Sequence, residues 1–355
     1  MKDIVVVMRW LRRGGAEKNT IKIVNRLAID NNVTLYVLSS TQADLIDSID
    51  CRVKLKLGTS WFSMIYALMR EKKASKIFCG DHRIAVYLKL ISELLFWKKF
   101  SIFFRCINNL SVLLYSKSRV QKVFLKYFLS KVDGVIAQCG GMKIDLESNW
   151  DVKPEKITVI YNSFPTTKDC NGAGHIKANK SKFIYVGRFG KQKQLELMVR
   201  AFLQAKIPNS SLTLVGFRSW MSEDREVKKS VENILIDNEL ANSITVVDWV
   251  ESGGNELLTN YGCFLLSSKF EGFPNVLVES ISNGVPVVST NCDFGPSEII
   301  DESNGIIVQE QTIECFANAI KMAYLKEWDY NKVKASATKF SDDVQLMKLK
   351  EVFDD

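Results

Sequence analysis

Short apolar runs recur along the chain and are separated by segments long enough to form helices. The runs are rich in β-branched residues, so the pattern predicts strands that alternate with helices in parallel α/β sheets. Twelve strands are predicted, six in each half of the chain: Ile4–Met8, Val33–Leu38, Ile77–Cys79, Ile102–Phe104, Val135–Ala137 and Ile157–Tyr161, then Phe183–Val186, Leu212–Val215, Ile244–Val247, Cys263–Leu266, Val287–Ser289 and Ile306–Val308. The sequence after Glu310 has a helical pattern.

A polar stretch at 164–181 separates the two sets of strands, and it lacks an apolar period. It predicts a linker between two domains, and a chain of 355 residues fits two domains of roughly 150–180 residues each. We expect one domain at 1–163, a second at 182–330, and a C-terminal helix at 331–355 that packs back on the first domain. Two such domains would place a ligand cleft between the carboxyl ends of their sheets.

The formal net charge of +8 is concentrated in residues 83–131, which contain ten Lys or Arg and one acid, Glu93. Aromatic and aliphatic side chains are interleaved with these charges. Such a segment can dock on anionic lipid, with about 1 kcal/mol for each cation near the surface. Core helices with a solvated basic face would give the same pattern, so both interpretations stay open. No nucleic-acid-reading motif is present, and we expect no nucleic-acid partner.

The first apolar run, Ile4–Met8, is too short for a signal-peptide core or a membrane span. The eight cysteines are scattered without a C-x-x-C pair, which favours reduced thiols in a cytosolic compartment. We therefore expect a cytoplasmic protein.

Two of the loops that follow predicted strands carry weak signals. Gly14-Gly15 precedes a helix whose free N–H groups could hold a phosphate, although an ordinary turn accounts for the pair equally well. Arg188 and Lys193 follow the strand Phe183–Val186. They could neutralise a diphosphate without a metal, or they could simply be solvated.

Residues 267–290 form the most specific stretch. A strand ends at Ser267, a loop carries Glu271 and Gly272, and Pro274 suits the first turn of the next helix. Glu279 then lies within that helix. One carboxylate could meet sugar hydroxyls and the other a ribose, with the helix N-terminus directed at phosphates between them.

This stretch resembles the E-x7-E signature of the retaining glycosyltransferases of family four, which have the GT-B fold. The similarity extends to Gly187-Arg188 with Lys193, to Gly14-Gly15-Ala16-Glu17, and to Gly295-Pro296-Ser297-Glu298, and it covers nearly the whole chain. The resemblance implies an α/β GT-B architecture, in which two Rossmann-like domains have parallel sheets facing a central cleft. It also implies transfer with retention and without a protein nucleophile.

The resemblance further implies roles for individual residues. The catalytic set would be Glu271 at the transferred sugar, with Arg188 and Lys193 at the donor diphosphate. The remaining donor-binding residues would be Gly15, Gly272, Phe273, Asn275, Val276 and Glu279, the last at the ribose. Weaker candidates on the acceptor side are His82, Arg105, Asn108 and Asn109. No Asp-x-Asp occurs, so we expect neither a metal nor another cofactor.

We therefore predict transfer of a hexose or N-acetylhexosamine from a nucleotide-diphosphate sugar, UDP-linked by preference, to a lipid-linked or lipopolysaccharide-type glycan. The setting would be bacterial surface polysaccharide synthesis, with the protein peripheral on the inner face of the plasma membrane through 83–131. Two alternatives remain open. One is a GT-B nucleotide-sugar epimerase, and the other is a catalytically silent GT-B scaffold.

Overall fold

The computed structural model describes residues 1–12, 14–41, 43–70, 76–94, 100–165, 179–236, 241–249 and 255–353. The chain divides into two compact units, one formed by Met1–Ser163 with Asp343–Asp355 and the other by Phe164–Asp342. Most of the predicted linker falls on 166–178, which lies outside the described residues. The second unit extends past the predicted boundary at 330, because the helix at Tyr330–Ser336 packs within that unit.

All described strands lie in two parallel sheets, one in each unit. The strands of the first unit are β1 Asp3–Met8, β2 Asn32–Val37, β3 Lys54–Leu57, β4 Lys76–Cys79, β5 Ser101–Cys106, β6 Gly134–Ala137 and β7 Ile157–Val159. Those of the second unit are β8 Asn179–Val186, β9 Ser211–Phe217, β10 Ile244–Asp248, β11 Tyr261–Leu266, β12 Val287–Thr290 and β13 Gly305–Val308.

Helices connect the strands within each unit. They are α1 Gly15–Asp30, α2 Trp61–Arg70, α3 His82–Leu94, α4 Leu110–Leu113, α5 Arg119–Ser130, α6 Gly140–Trp150, α7 Leu195–Ala205, α8 Ser222–Leu235, α9 Asn255–Leu258, α10 Asn275–Ser282, α11 Pro296–Ile299, α12 Ile313–Leu325, α13 Tyr330–Ser336, α14 Asp342–Met347 and α15 Leu349–Phe353. Single 3₁₀ turns lie at Ile46–Ser48, Pro154–Lys156, Lys191–Lys193, Ala241–Ser243 and Ala337–Phe340.

Each of the twelve predicted strands is present, and the predicted parallel α/β class is confirmed. Central strands such as β1 and β11 are buried along nearly their whole length, which is why they read as continuous apolar runs. The prediction missed β3. That strand lies at the sheet edge and reads Lys-Leu-Lys-Leu, with no β-branched residue and with partly exposed side chains.

The end of the chain packs on the sheet of the first unit. Phe353 stacks against Phe78 and Phe103, with ring centroids 5.7 Å and 5.1 Å away. The backbone oxygen of Phe353 also accepts hydrogen bonds from the ammonium groups of Lys2 and Lys76 at 2.9 Å and 3.0 Å. Within the described ranges, no helix combines the length and apolar character needed to cross a bilayer.

Candidate functional site

The sheet of the second unit has a topological switch point between β8 and β11. Its strand order is β10-β9-β8-β11-β12-β13, so the chain builds outward from β8 on one side and then returns to add β11 on the other. Loops that leave adjacent strands in opposite directions open a crevice at the carboxyl edge, which is where open α/β sheets bind ligands. The loops concerned are 187–194 and 267–274, and they contain Arg188, Lys193 and Glu271.

Lys193 and Glu271 form an ion pair across this crevice. The Nζ atom of Lys193 lies 2.5 Å from Oε1 of Glu271, and the two side chains are only 14% and 10% exposed. The Ser268 hydroxyl donates a second hydrogen bond to the same carboxylate oxygen at 2.5 Å. The ammonium of Lys193 and the carboxylate of Glu271 are therefore both largely shielded from water. Electrostatic interactions with a bound ligand are stronger there than in bulk solvent.

Hydrogen bonds join the two loops around this pair. The Ser267 hydroxyl donates to the carbonyl of Lys193 at 2.7 Å, and the Lys269 amide donates to the carbonyl of Gln192 at 2.8 Å. The Gln192 side-chain amide returns a bond to the carbonyl of Phe270, also at 2.8 Å. These hydrogen bonds fix the two loops relative to each other, which is the kind of preorganisation that electrostatic stabilisation needs.

Arg188 is exposed near the start of the loop that follows β8. Its carbonyl accepts a 2.7 Å hydrogen bond from the hydroxyl of Tyr185, a fully buried residue of β8. Burial raises the pKa of Tyr185 well above its ordinary value, the negative charge of Glu271 adds to that rise, and the positive charge of Arg188 opposes it. Arg188 and Glu271 thus act electrostatically on one buried phenol, which places their charges in the same neighbourhood.

A buried carboxylate that the sequence did not reveal supports the loop after β8. Asp224 of α8 is fully buried and accepts hydrogen bonds from the guanidinium of Arg218 at 2.9 Å and 2.6 Å. Burial alone would raise the pKa of Asp224, but its hydrogen bonds from Arg218 and Phe189 and the positive charge of Arg218 lower it below the ordinary value. Asp224 therefore ties the β9 loop to the segment between Arg188 and Lys193.

The turn into α10 closes the loop that carries Glu271. Pro274 precedes the helix, Asn275 is its first residue, and Phe273 is buried against Phe340 with ring centroids 5.7 Å apart. Gly295 lies against this turn with a φ of +93°, where a β-carbon would come within 2.5 Å of the Pro274 ring. Only glycine permits that approach.

The other predicted donor residues lie on the same turn and helix. Gly272 precedes the turn, while Val276 and Glu279 are half-buried residues of α10. The assigned roles of these residues stay predictions.

Cys292 is the cysteine that senses the charges of Lys193 and Glu271. Cys292 is 3% exposed, and burial, reinforced by the charge of Glu271, raises its pKa to about 12, so it is a neutral thiol. Across the described ranges, no group of three or more His, Cys, Asp or Glu residues could hold a metal ion. Metal independence stays a prediction.

The first unit has its own switch point between β1 and β4, in the order β3-β2-β1-β4-β5-β6-β7. A cavity of about 210 Å³ opens there, lined by polar groups that include Glu17, Asp81, His82 and Asn108. Burial lowers the pKa of His82 to about 4, with Asp81 opposing and Arg83 adding to the shift, so its imidazole is neutral at pH 7. His82 and Asn108 thus line one polar cavity, and their acceptor-side role stays a prediction.

The other acceptor-side candidates have structural partners. Arg105 is 1% exposed, and its guanidinium donates to the carbonyl of Ala16 at 2.9 Å, to the hydroxyl of Thr20 at 2.8 Å, and to Asn162. The side chain of Arg105 is thus buried against α1 and absent from the lining of the polar cavity, and its acceptor-side role stays a prediction. The side chain of Asn109 caps α4 by accepting from the amide of Val112 at 3.2 Å.

Gly15 is the first residue of α1, as the sequence indicated. The carboxylate of Glu17 folds back over this helix end, with one oxygen 2.1 Å from the place where a β-carbon on Gly14 would lie. The N-terminus of α1 is therefore already covered by a negative group.

Comparisons with known proteins agree with this geometry. Residues 171–340 match the model of a family described as glycosyl transferases group 1. An uncharacterized glycosyltransferase of Methanocaldococcus jannaschii is 26% identical over 254 residues, which are 66% of this chain and 60% of the relative. An N-acetylgalactosaminyltransferase of Campylobacter jejuni, named as acting on N-acetylgalactosamine-N,N'-diacetylbacillosaminyl-diphospho-undecaprenol, is 26% identical over 54% of this chain and 51% of its own length. The chain thus matches less than two thirds of the length of these relatives.

Among solved structures, the Anabaena protein HepE in complex with UDP superimposes with a TM-score of 0.78 at 16% identity, covering all of both chains. At that identity the likeness concerns the fold. Together with the two Rossmann-like units, it confirms the predicted GT-B fold class.

Proposed function

We propose that the whole protein, whose residues 171–340 match the family model of glycosyl transferases group 1, is a retaining glycosyltransferase. It moves a hexose or N-acetylhexosamine from a nucleotide-diphosphate sugar to a lipid-linked or lipopolysaccharide-type glycan in bacterial surface polysaccharide synthesis. The observation that carries this proposal is the Lys193–Glu271 pair at the switch point of the second sheet.

The donor is UDP-linked in this proposal, and the UDP bound to the HepE neighbour supports that choice. In this proposal the diphosphate lies beside Lys193, Arg188 and the N-terminal end of α10, where two cations and the positive end of the helix dipole meet an anion. Glu279 accepts hydrogen bonds from the ribose hydroxyls, and Glu271 accepts them from hydroxyls of the sugar.

Catalysis in this scheme is stabilisation of a leaving group. The bond between the anomeric carbon and the diphosphate oxygen breaks with a transition state of oxocarbenium character, and negative charge grows on the diphosphate. Lys193 and Arg188 neutralise that charge. The departing phosphate takes the proton of the acceptor hydroxyl as the new bond forms on the same face, so neither a protein nucleophile nor a metal is needed.

A relative's name supports the proposed acceptor, and the composition of the first unit supports the proposed location. The Campylobacter jejuni relative is named for an acceptor carried on diphospho-undecaprenol, and the basic aromatic segment 83–131 supplies cations for an anionic leaflet. We place the protein on the cytoplasmic side of the membrane, held peripherally through this segment. Residues 95–99 of the segment lie outside the described residues.

The test is a thermal-unfolding panel of nucleotide sugars, followed by incubation with the responding donor. A ligand at a hundredfold its Kd stabilises the folded protein by about 2.7 kcal/mol, which a melting curve resolves easily. We expect one UDP-sugar to raise the melting temperature and to yield UDP only when a lipid-linked acceptor is added. Free epimerised UDP-sugar formed without acceptor would identify an epimerase instead. Absence of any response would indicate a silent scaffold.

A further inference from the structure

A groove of about 680 Å³ opens in the first unit between α3 and the segment α4–α5. Its apolar lining includes Val86, Leu114, Val120 and Phe124. The volume is typical of a cavity that takes up a small molecule, and the mixture of aliphatic and aromatic groups suits an apolar one.

An unusual apolar face of α5 continues this groove onto the surface. Val120, Val123, Phe124 and Tyr127 follow helical spacing along one stripe, and they are 78%, 62%, 43% and 51% exposed. Helices of globular proteins normally turn such a stripe toward the core. The core side of α5 is instead provided by Phe128 and Leu129, so the exposed stripe is available to a ligand.

Two cations line the same groove without an acidic partner among the residues that the structure describes. They are Arg83, at the start of α3, and Lys117, just before α5. Other cations of the region are engaged: Lys131 pairs with Glu93 at 3.0 Å and Lys126 with Asp151 at 3.0 Å. Arg83 and Lys117 therefore offer positive charge outside any described ion pair and beside apolar surface, which is complementary to a phosphate attached to an apolar chain.

The groove adjoins the polar cavity at the first switch point. His82, Arg83 and Leu113 line both spaces, so the 210 Å³ polar cavity and the 680 Å³ apolar groove share a wall. A molecule that spans this wall would have its polar part near Asn108 and Glu17, a phosphate at Arg83, and its apolar part along α5.

We propose that this groove binds the apolar chain of a phosphate-bearing lipid acceptor, with the phosphate held by Arg83 and Lys117 and the glycan in the adjoining cavity. The inference rests on the proposed function for the identity of the acceptor. The inference goes beyond the proposed function because it assigns a discrete binding site for the lipid chain, distinct from general contact with a bilayer surface.

The experiment titrates the full-length protein with farnesyl diphosphate and with inorganic diphosphate, each in the presence of saturating UDP so that the donor site is filled. We expect farnesyl diphosphate to bind at least about tenfold more tightly than inorganic diphosphate, because only the former fills the apolar groove. Val120→Asp and Arg83→Gln should each weaken farnesyl diphosphate binding by about tenfold.

Matched controls are available in the same unit. Ile144, which is 64% exposed on α6, and Lys54, which is exposed on β3, lie outside the groove. Ile144→Asp again places a carboxylate at an exposed apolar position and Lys54→Gln again removes one cation, and both should leave the affinity unchanged. All four sites are on the surface, so thermal unfolding should report the same stability for every variant.

Three results would overturn the proposal. Farnesyl diphosphate could bind no better than inorganic diphosphate, or Val120→Asp could leave the affinity intact. The third is a concentration-dependent dimer abolished by Val120→Asp, seen in sedimentation without farnesyl diphosphate binding, which would make the stripe a protein interface. The nucleotide-sugar melting panel separates the two proposals. A retained donor response with no farnesyl diphosphate binding removes the lipid site alone, and the opposite result removes the donor assignment alone.

Discussion

Replacing Lys193 by methionine tests the ion pair on which the donor site depends. The substitution removes the ammonium and keeps an unbranched side chain of comparable reach. It leaves the carboxylate of Glu271 only 10% exposed, with the Ser268 hydroxyl as its remaining partner at 2.5 Å. Breaking a buried pair on one side costs about 3–5 kcal/mol, and the residual exposure places this case near 3 kcal/mol.

The predicted loss is large enough to measure by two independent routes. For a domain of this size, 1 kcal/mol shifts the melting temperature by about 2–4 °C, so Lys193→Met should lower the transition of the second unit by roughly 6–12 °C. The Lys193→Met/Glu271→Gln double variant removes the stranded charge as well. It should therefore recover stability and show a coupling energy of about 1–3 kcal/mol in the mutant cycle. Turnover by Lys193→Met should fall about 100- to 1,000-fold, as it does when other preorganised transition-state donors are removed.

Lys191 supplies the control, because it lies in the same 3₁₀ turn and also forms an ion pair. Its Nζ is 2.9 Å from Oε2 of Glu226, but both side chains are well exposed, at 71% and 63%. Lys191→Met should therefore change the free energy of unfolding by no more than about 1 kcal/mol. The reasoning is refuted if the two lysine variants are equally stable, if the double-variant effects are additive, or if Lys193→Met turns over at the normal rate.

Three further predictions concern buried groups and close contacts. Asp224→Asn should destabilise the second unit by about 3 kcal/mol at pH 7. Because the folded-state pKa of Asp224 is lowered, its contribution is present above the unfolded pKa and disappears as the pH falls through the folded value, so acid unfolding curves of the variant should be flatter. The pKa of His82 is about 4 in the folded protein, so the unfolded chain binds more protons between about pH 4 and 6.5, and stability should decrease as the pH falls through that range. His82→Gln should remove this pH dependence of the free energy of unfolding. An NMR titration of His82 in the folded protein with a midpoint near pH 6.5 would contradict the prediction. Gly216→Ala should cost more than about 1 kcal/mol in chemical denaturation, because φ is +115° and the new β-carbon would lie 2.3 Å from the carbonyl oxygen of Gly187, whereas Gly190→Ala meets nothing closer than 3.7 Å.

Much of the architecture was predictable because buried parallel strands are encoded locally. A run of β-branched residues bounded by polar segments is enough to identify a strand such as β1 or β11, whatever its neighbours are. The exception is β3, whose edge position removes the demand for apolar residues on both faces. Its Lys-Leu-Lys-Leu sequence therefore lacks the signal on which the prediction relied.

The site was predictable in part. Arg188, Lys193 and Glu271 were identified as charged residues in loops after strands, and the structure joins Lys193 and Glu271 directly. Asp224 was not identified, since an Asp in the first turn of an exposed helix is a common sequence feature and only its full burial sets it apart. Arg105 was assigned to the acceptor side. In the structure its guanidinium donates to Ala16 of α1 and to Asn162, which are both distant in sequence, so no local pattern reveals these contacts.

What the sequence by itself determined is the alternation of strands and helices, the two-unit organisation and the identity of the charged loops, because each depends on short stretches of chain. Only the tertiary structure decided which loops meet. Lys193 and Glu271 are separated by several intervening elements, and they pair because β8 and β11 are neighbours in the sheet. Strand order is a property of the whole unit, since it reflects how all the helices cover both faces of the sheet at once.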